Sequence, residues 1–275
     1  MNELMISEWE RLWKRKVTWL MVAVLPIMAF ASAKYYQKQN NSITSELPQY
    51  AVLGNFPVLG LSEMLMTIFN MVVLVIAAII ITEEYRSGQL RMVLIRTYSF
   101  QQIIIAKFTV LLSFIFLYLT AYFIICYGIG YAMFSHPETY PQFYYEDQVT
   151  NIEGLIYNLK FYGLAFLTLI AMSSVVFFIA TISHSTTTTL GVGVGFLFIS
   201  FSYPNIVNML QLLLKNEIIM KIIFTSIPMI QWEGLTMMLA KSSSLLGWMF
   251  LMLLGYILLF NLLTFIVIKK RNIFL

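Results

Sequence analysis

Residues 81–97, ITEEYRSGQLRMVLIRT, hold the densest mixed charge between any two apolar runs of the chain: Glu83, Glu84, Arg86, Arg91 and Arg96 within a few turns. Adjacent carboxylates can share a proton or ligate a metal, and arginines clamp carboxylates or phosphates. Few other side chains have chemical reach. They are His136, His184, the lone Cys126, and two polar groups within or at the mouth of an apolar run, Asn70 and Glu63. No GxSxG, HExxH or CxxC spacing is present. None of the thirteen glycines is followed by lysine, so the chain lacks the G-x-x-x-x-G-K-[ST] loop that cradles nucleotide phosphates. With chemistry this sparse, the elements around the charged segment must decide its purpose.

Those elements are oily. Of 275 residues, 60% are hydrophobic and 11% charged, and the mean hydropathy is +0.81. Soluble domains carry about 25% charged residues, so this composition belongs in a bilayer. The net charge of +4 comes from basic residues near the ends of apolar runs, which suits anionic headgroups and not a nucleic-acid groove. A spanning helix needs about 20 mainly apolar residues. The runs 63–82, 108–135, 161–182, 189–209 and 245–268 meet that length, and 17–33 lies within the tolerated range. The expectation is an all-α integral membrane protein, a single transmembrane domain of six helices over residues 1–275. Of 17 lysines and arginines, eleven fall on the side holding 11–16, 86–107 and 269–271. The positive-inside rule makes that side cytoplasmic and predicts a multi-pass protein of the cell (plasma) membrane with both termini inside.

The first span has a second reading. Basic residues, an apolar core and Ala31-Ser32-Ala33 imitate a secretory signal. The leading residues, however, include Glu3, Glu8, Glu10 and two tryptophans. Residues 1–16 read instead as an amphipathic interfacial helix, with Met5, Trp9, Leu12 and Trp13 on one face and Glu3, Ser7, Glu10, Arg11 and Lys14 on the other. A helix packed on a partner protein has the same pattern. Near the other end, residues 210–241 are too charged to span and too apolar for a loop, with Lys215, Glu217 and Lys221 interrupting and Pro228 breaking any helix. They read as a half-inserted, re-entrant pair of short outer helices before the last span.

Within the charged segment, Leu90, Val93 and Leu94 form a short apolar stripe, and Arg86, Arg91 and Arg96 fan around it at a five-residue spacing. Gly88 permits a turn after the second span. Glu83/Glu84, Gly88, Leu90, Leu94 and Ser99, then Ala106-Lys107 before a long span, resemble the permease subunits of type-2 ATP-binding-cassette (ABC) exporters. Thr97-Tyr98 and Phe100 stand where that family often has proline and arginine. The whole-chain layout is similar as well. The resemblance implies that 83–100 is a cytoplasmic coupling segment pressing on a separate ABC ATPase subunit. Glu83, Glu84, Arg86, Gly88, Leu90, Arg91, Leu94 and Arg96 would be its contact residues. It also implies a dimer with a second permease, the same or homologous. No cofactor would be bound by this chain, ATP and magnesium residing in the ATPase. The cargo would be amphipathic or hydrophobic: a lipid, a drug or an antimicrobial peptide.

Two rival chemistries fit these residues less well. Prenyl-endopeptidase-type intramembrane proteases show E-E-x-x-x-R with later histidines, whereas here the order is E-E-Y-R. His136 and His184 fall on opposite sides of a bilayer about 30 Å thick and cannot share a metal. No metal site is expected. A secondary carrier, the nearer alternative, marks its pathway with buried ionisable groups and broken helices. Here Glu63 at the outer mouth of span two and Asn70 deep within it are the possible pathway residues, though an asparagine at that depth more often bonds another helix. In span five, Gly191 and Gly195 stand in G-x-x-x-G spacing, which admits a close backbone from a second permease or from span two or four. The Ser183–189 run supplies N-cap oxygens ahead of it. The tyrosine-rich loop 135–158 reads as an interfacial aromatic belt.

Overall fold

The structure, a computed structural model, describes residues 2–87, 99–183, 185–209, 216–241 and 245–271. Among the described residues, six helices are long and apolar enough to cross a membrane: Lys16–Asn40, Phe56–Thr82, Gln101–Met133, Asn151–Ile182, Thr186–Pro204 and Leu246–Lys269. They are called spans one to six below. The protein is an all-helical multi-pass membrane protein, with one two-residue hairpin ladder pairing Thr139–Tyr140 with Val149–Thr150. Span four lies at the centre, packed by spans two, three, five and six. Span one packs on spans two and three.

A short N-terminal helix, Asn2–Trp13, precedes span one and lies against span three. Its buried row is Leu4, Glu8 and Leu12, and Leu4 meets Ile103 and Ala106. The expected apolar face is therefore rotated, because a carboxylate sits in the middle of it and Ile6 points outward. The chain then turns sharply at Arg15, which is extended (φ −86°, ψ 132°). Side chains from the next helix satisfy the carbonyls this turn frees. The Thr18 hydroxyl donates to Leu12 O at 2.6 Å and the Trp19 indole to Trp13 O at 2.9 Å.

Two spans begin earlier than apolarity alone suggests. Span two starts at Phe56 and not Glu63, with Pro57 in its first turn, where the missing N–H is no loss. Ser62 and Glu63 fit inside the helix because their polar atoms are partnered. The Ser62 hydroxyl donates to Leu59 O at 2.8 Å, and Glu63 Oε1 accepts the Tyr36 hydroxyl at 3.0 Å. Span four starts at Asn151 and not Phe161, nucleated by a capping box between Thr150 and Glu153. Lys160, expected in the outer loop, is thus inside a helix. Pro228 opens a helix instead of ending one. Ser226 caps the short run Ile227–Met229, which continues through a π-helical turn, Ile230–Gly234, into Leu235–Met238. This broken helix follows the helix Asn216–Ile223. Span two carries a π-helical turn of its own, Leu65–Phe69.

In the glycine run of span five, the residue in close contact is Gly193. A Cβ there would overlap Leu74 Cδ1 of span two and stand 3.2 Å from Leu74 Cγ, whereas Gly191 and Gly195 have open space beside them. The close approach to span two passes through the middle glycine, and among the described residues nothing lies within 4 Å of a Cβ at Gly191 or Gly195. Since Leu74 is fully buried, Gly193→Val should lose about 1–3 kcal/mol by overpacking. Gly191→Ala and Gly195→Ala should stay within about 0.5 kcal/mol of the parent. Thermal unfolding of the three purified variants in one detergent checks the contrast.

Candidate functional site

The charged segment predicted to act leaves the protein body where four elements meet. Glu83, Glu84 and Arg86 occupy the last turns of the helix Asn70–Ser87 that ends span two. Gly88, Leu90, Arg91, Leu94 and Arg96 lie outside the described residues, as does His184. What the structure shows in detail is the platform from which the segment departs.

Its centre is an ion pair. Lys107 Nζ, at the start of span three, donates to Glu8 Oε2 of the N-terminal helix at 2.8 Å and to Ile80 O of span two at 3.0 Å. The two side chains are 3% and 6% exposed. Arg11 donates to the other Glu8 oxygen at 3.3 Å, and Arg15 Nη1 reaches Ile79 O at 3.5 Å. On the far side of span two, the hydroxyls of Thr82 and Thr186 bond at 2.7 Å, which ties its end to the start of span five. Ser99 caps span three through a reciprocal bond with Gln102, so the chain re-enters the body at a well-formed helix start. Both points where the segment joins the body are therefore fixed by hydrogen bonds. A cluster of Trp9, Trp13, Trp19 and Phe114 covers the same region, with successive ring centroids 5.3–6.1 Å apart.

The second polar centre sits halfway along the spans. Asn70 and Gln231 are fully buried and bond reciprocally: Asn70 Nδ2 donates to Gln231 Oε1 at 2.6 Å, and Gln231 Nε2 to Asn70 Oδ1 at 3.1 Å. The remaining N–H groups are also used, that of Asn70 on Met66 O at 2.9 Å and that of Gln231 on Thr168 Oγ1 of span four at 3.2 Å. All four amide protons are satisfied within the protein. Asn70 is thus an interhelical bond to the broken helix. Glu63 is half-buried against Tyr36 of span one and lies well apart from Asn70 along span two. Gly191 and Gly195 join neither centre.

Of the residues that form these centres, Glu8, Gln231 and Thr168 escaped the sequence reading. Glu8 had a signal: it stands at i+4 from Leu4 and i−4 from Leu12, and a carboxylate on an apolar row needs a cation opposite. Gln231 had a weaker one, as the amide among the apolar residues around Pro228. Among the described residues, no three His, Cys, Asp or Glu side chains gather into a group that could hold a metal. His136 is exposed, its ring beside Tyr131.

Removing one partner of a buried ion pair strands the other charge. Lys107→Met should therefore lower stability by about 3–5 kcal/mol. Lys14 makes the contrasting case, since its pair with Glu10 at 3.5 Å joins side chains 78% and 60% exposed. Lys14→Met should change stability by less than about 0.5 kcal/mol. Chemical unfolding of the two variants in matched micelles distinguishes a structural staple from ordinary surface charge.

No curated protein matches the chain. A family model does, over residues 19–274, which takes in nearly all of the six spans, the amide centre and Lys107 and Ile80 of the platform, but not Glu8. Its description is "Protein of unknown function (DUF2705)", and the match covers nearly the whole sequence, so the chain belongs to the DUF2705 family.

Proposed function

We propose that this protein is the membrane-spanning permease subunit of an ABC exporter, working with a separate ATPase subunit and a second permease. The observation that carries the reading is the buried Glu8–Lys107–Ile80 staple at the departure point of residues 83–98. A segment rich in arginine and glutamate, rooted in a rigid junction of the N-terminal helix with spans two, three and five, suits a lever moved by a partner protein. Arginine forks on such a lever bind carboxylates bidentately. The absence of a phosphate-binding loop from the sequence means that nucleotide would be hydrolysed elsewhere.

On this reading the charged platform faces the cytoplasm, and the N-terminal helix lies in the inner membrane interface with its tryptophans at headgroup depth. The helix Asn216–Ile223 and the broken helix form the re-entrant outer pair, their irregular backbone tolerated because it is packed against protein. ATP-driven closure of the ATPases would press the segment and rearrange the spans around a path between two permeases. The apolar surfaces of the spans favour an amphipathic or hydrophobic cargo. A secondary carrier is the second reading, supported by one observation: Glu63, a carboxylate inside span two whose visible partner is the Tyr36 hydroxyl.

The test is purification of the tagged protein from its native host in mild detergent, followed by native mass spectrometry. The expected result is a stoichiometric ATPase subunit that is lost on charge reversal at Glu84 or Arg91 while the six-span fold persists. A preparation with no ATPase would overturn the exporter reading and leave the carrier in its place, with Glu63→Gln as its next test.

A further inference from the structure

Two features of the membrane interior coincide. The π-helical turn Leu65–Phe69 ends directly at Asn70, and the π-helical turn Ile230–Gly234 contains Gln231. The two irregular turns therefore present the two amides to each other. A π turn holds one residue more than the α-helix around it and recurs at sites that move. When it relaxes to α, everything beyond it rotates by about 100° and shifts by about 1.5 Å along the axis. The change is discrete, with no half-way position for a packed side chain.

We propose that the facing π turns and their Asn70–Gln231 pair form a two-position joint that seats the broken helix 227–238 on span two. In the seated position both amides are saturated and Thr168 of span four closes the triad. If the turn at Leu65–Phe69 relaxes, Asn70 swings off Gln231 and the triad opens. The converse holds as well: lifting the broken helix withdraws Gln231 and frees Asn70 to turn. Asn70 and Gln231 are positioning residues in this scheme.

Three further observations favour a joint over a permanent weld. The seat is polar where an apolar one would pack as well, and amides that part can bond to backbone carbonyls or water, so the open position is not forbidden. The head of the broken helix has its own tether, Ser226 Oγ donating to Ser200 O of span five at 2.6 Å, which makes a pivot about which the rest can swing. Thr67, within the span-two turn, faces outward, so the loss of one residue there removes no buried side chain. This inference rests on the proposed function only for the origin of the force, namely the partner acting on 83–98. The joint itself is independent of it.

Hydrogen–deuterium exchange of the full chain in lipid nanodiscs tests the joint without an ATPase or a cargo. Deleting Thr67 removes the extra residue, so the span-two turn becomes α with its flanks in register and Asn70 is locked on Gln231. The expected result is at least tenfold slower exchange across 227–238, with span four protected as in the parent. Unchanged or weaker protection of 227–238 would overturn the proposal. If the deletion exposes span four, it has unfolded the protein, and Gln231→Met decides instead. That shape-preserving change should speed exchange in residues 65–82 at least tenfold, and no change there would equally overturn the joint. Failure of the exporter reading would show itself separately, as absence of the ATPase from purified protein whose exchange pattern still follows the joint.

Discussion

The structure hangs on a carboxylate and an ammonium taken out of water together. Neither Glu8 nor Lys107 could be buried alone, since an isolated ion in a low-dielectric interior costs several kcal/mol after all relaxation. Bonded at 2.8 Å, with Ile80 O as a third member, each justifies the other's position. The consequence is geometrical. Lys107 cannot keep both contacts unless the N-terminal helix, the end of span two and the start of span three hold one arrangement. The pair thereby fixes the two ends between which residues 88–98 must run, whatever shape those residues take. Apolar packing of Leu4 on Ile103 and Ala106 adds area but little direction. The direction comes from the charges.

The same economy runs through the rest of the membrane interior. Buried hydroxyls return their protons to the preceding helical turn, as Thr82 does to Ala78 O, Ser173 to Leu169 O, Thr181 to Phe177 O and Thr264 to Phe260 O. These bonds stay within one helix and specify nothing between helices. Other bonds run between helices, among them Tyr122 on Gly60 O, Tyr162 on Pro57 O, Asn261 on Ser174, and the amide triad. Two of these deliver phenols from spans three and four to the first turns of span two. That end of span two is thereby crowded with donors, while its middle is held through Asn70 and its last turn through Thr82, Ile79 and Ile80. Among the described residues, span two takes part in more of the directional bonds between helices than any other span.

How much of this could be read from the sequence follows from what each signal measures. Apolar run length gave the number and order of the spans, because a helix in lipid must present about 20 apolar residues whatever it packs against. It misplaced the starts of spans two and four, because run length stops at the first polar cluster, and Glu63 and Lys160 are polar residues a helix can carry. The amphipathic leader was legible as a helix, yet its face was rotated: periodicity treats Glu8 as solvated and cannot see a lysine nearly a hundred positions away. Asn70 stood out because it is alone in an apolar run, and its partner did not, because Gln231 lies among short, broken helices with no clean period. The glycine run marked the helix, while the approach of span two passes through Gly193 and leaves Gly191 and Gly195 open. Spacing is blind to which side of a helix a neighbour occupies, and Leu74 settles that side.

The two polar centres differ in a way that bears on how motion could pass along span two. The lower one joins full charges and excludes water, so opening it would strand an ion. The middle one joins neutral amides, each of which can find another partner. A helix stapled at one end by ions and seated midway by amides will, under load, yield first at the amides. On the exporter reading, a push arriving through residues 83–98 would not be absorbed at the platform, where an ion pair joins three elements. It would pass along span two to the proposed joint, the π turn next to Glu63 and its facing turn in the broken helix. On that reading the order of bond strengths, more than any single contact, would make span two a lever whose compliance lies where the broken helix can respond.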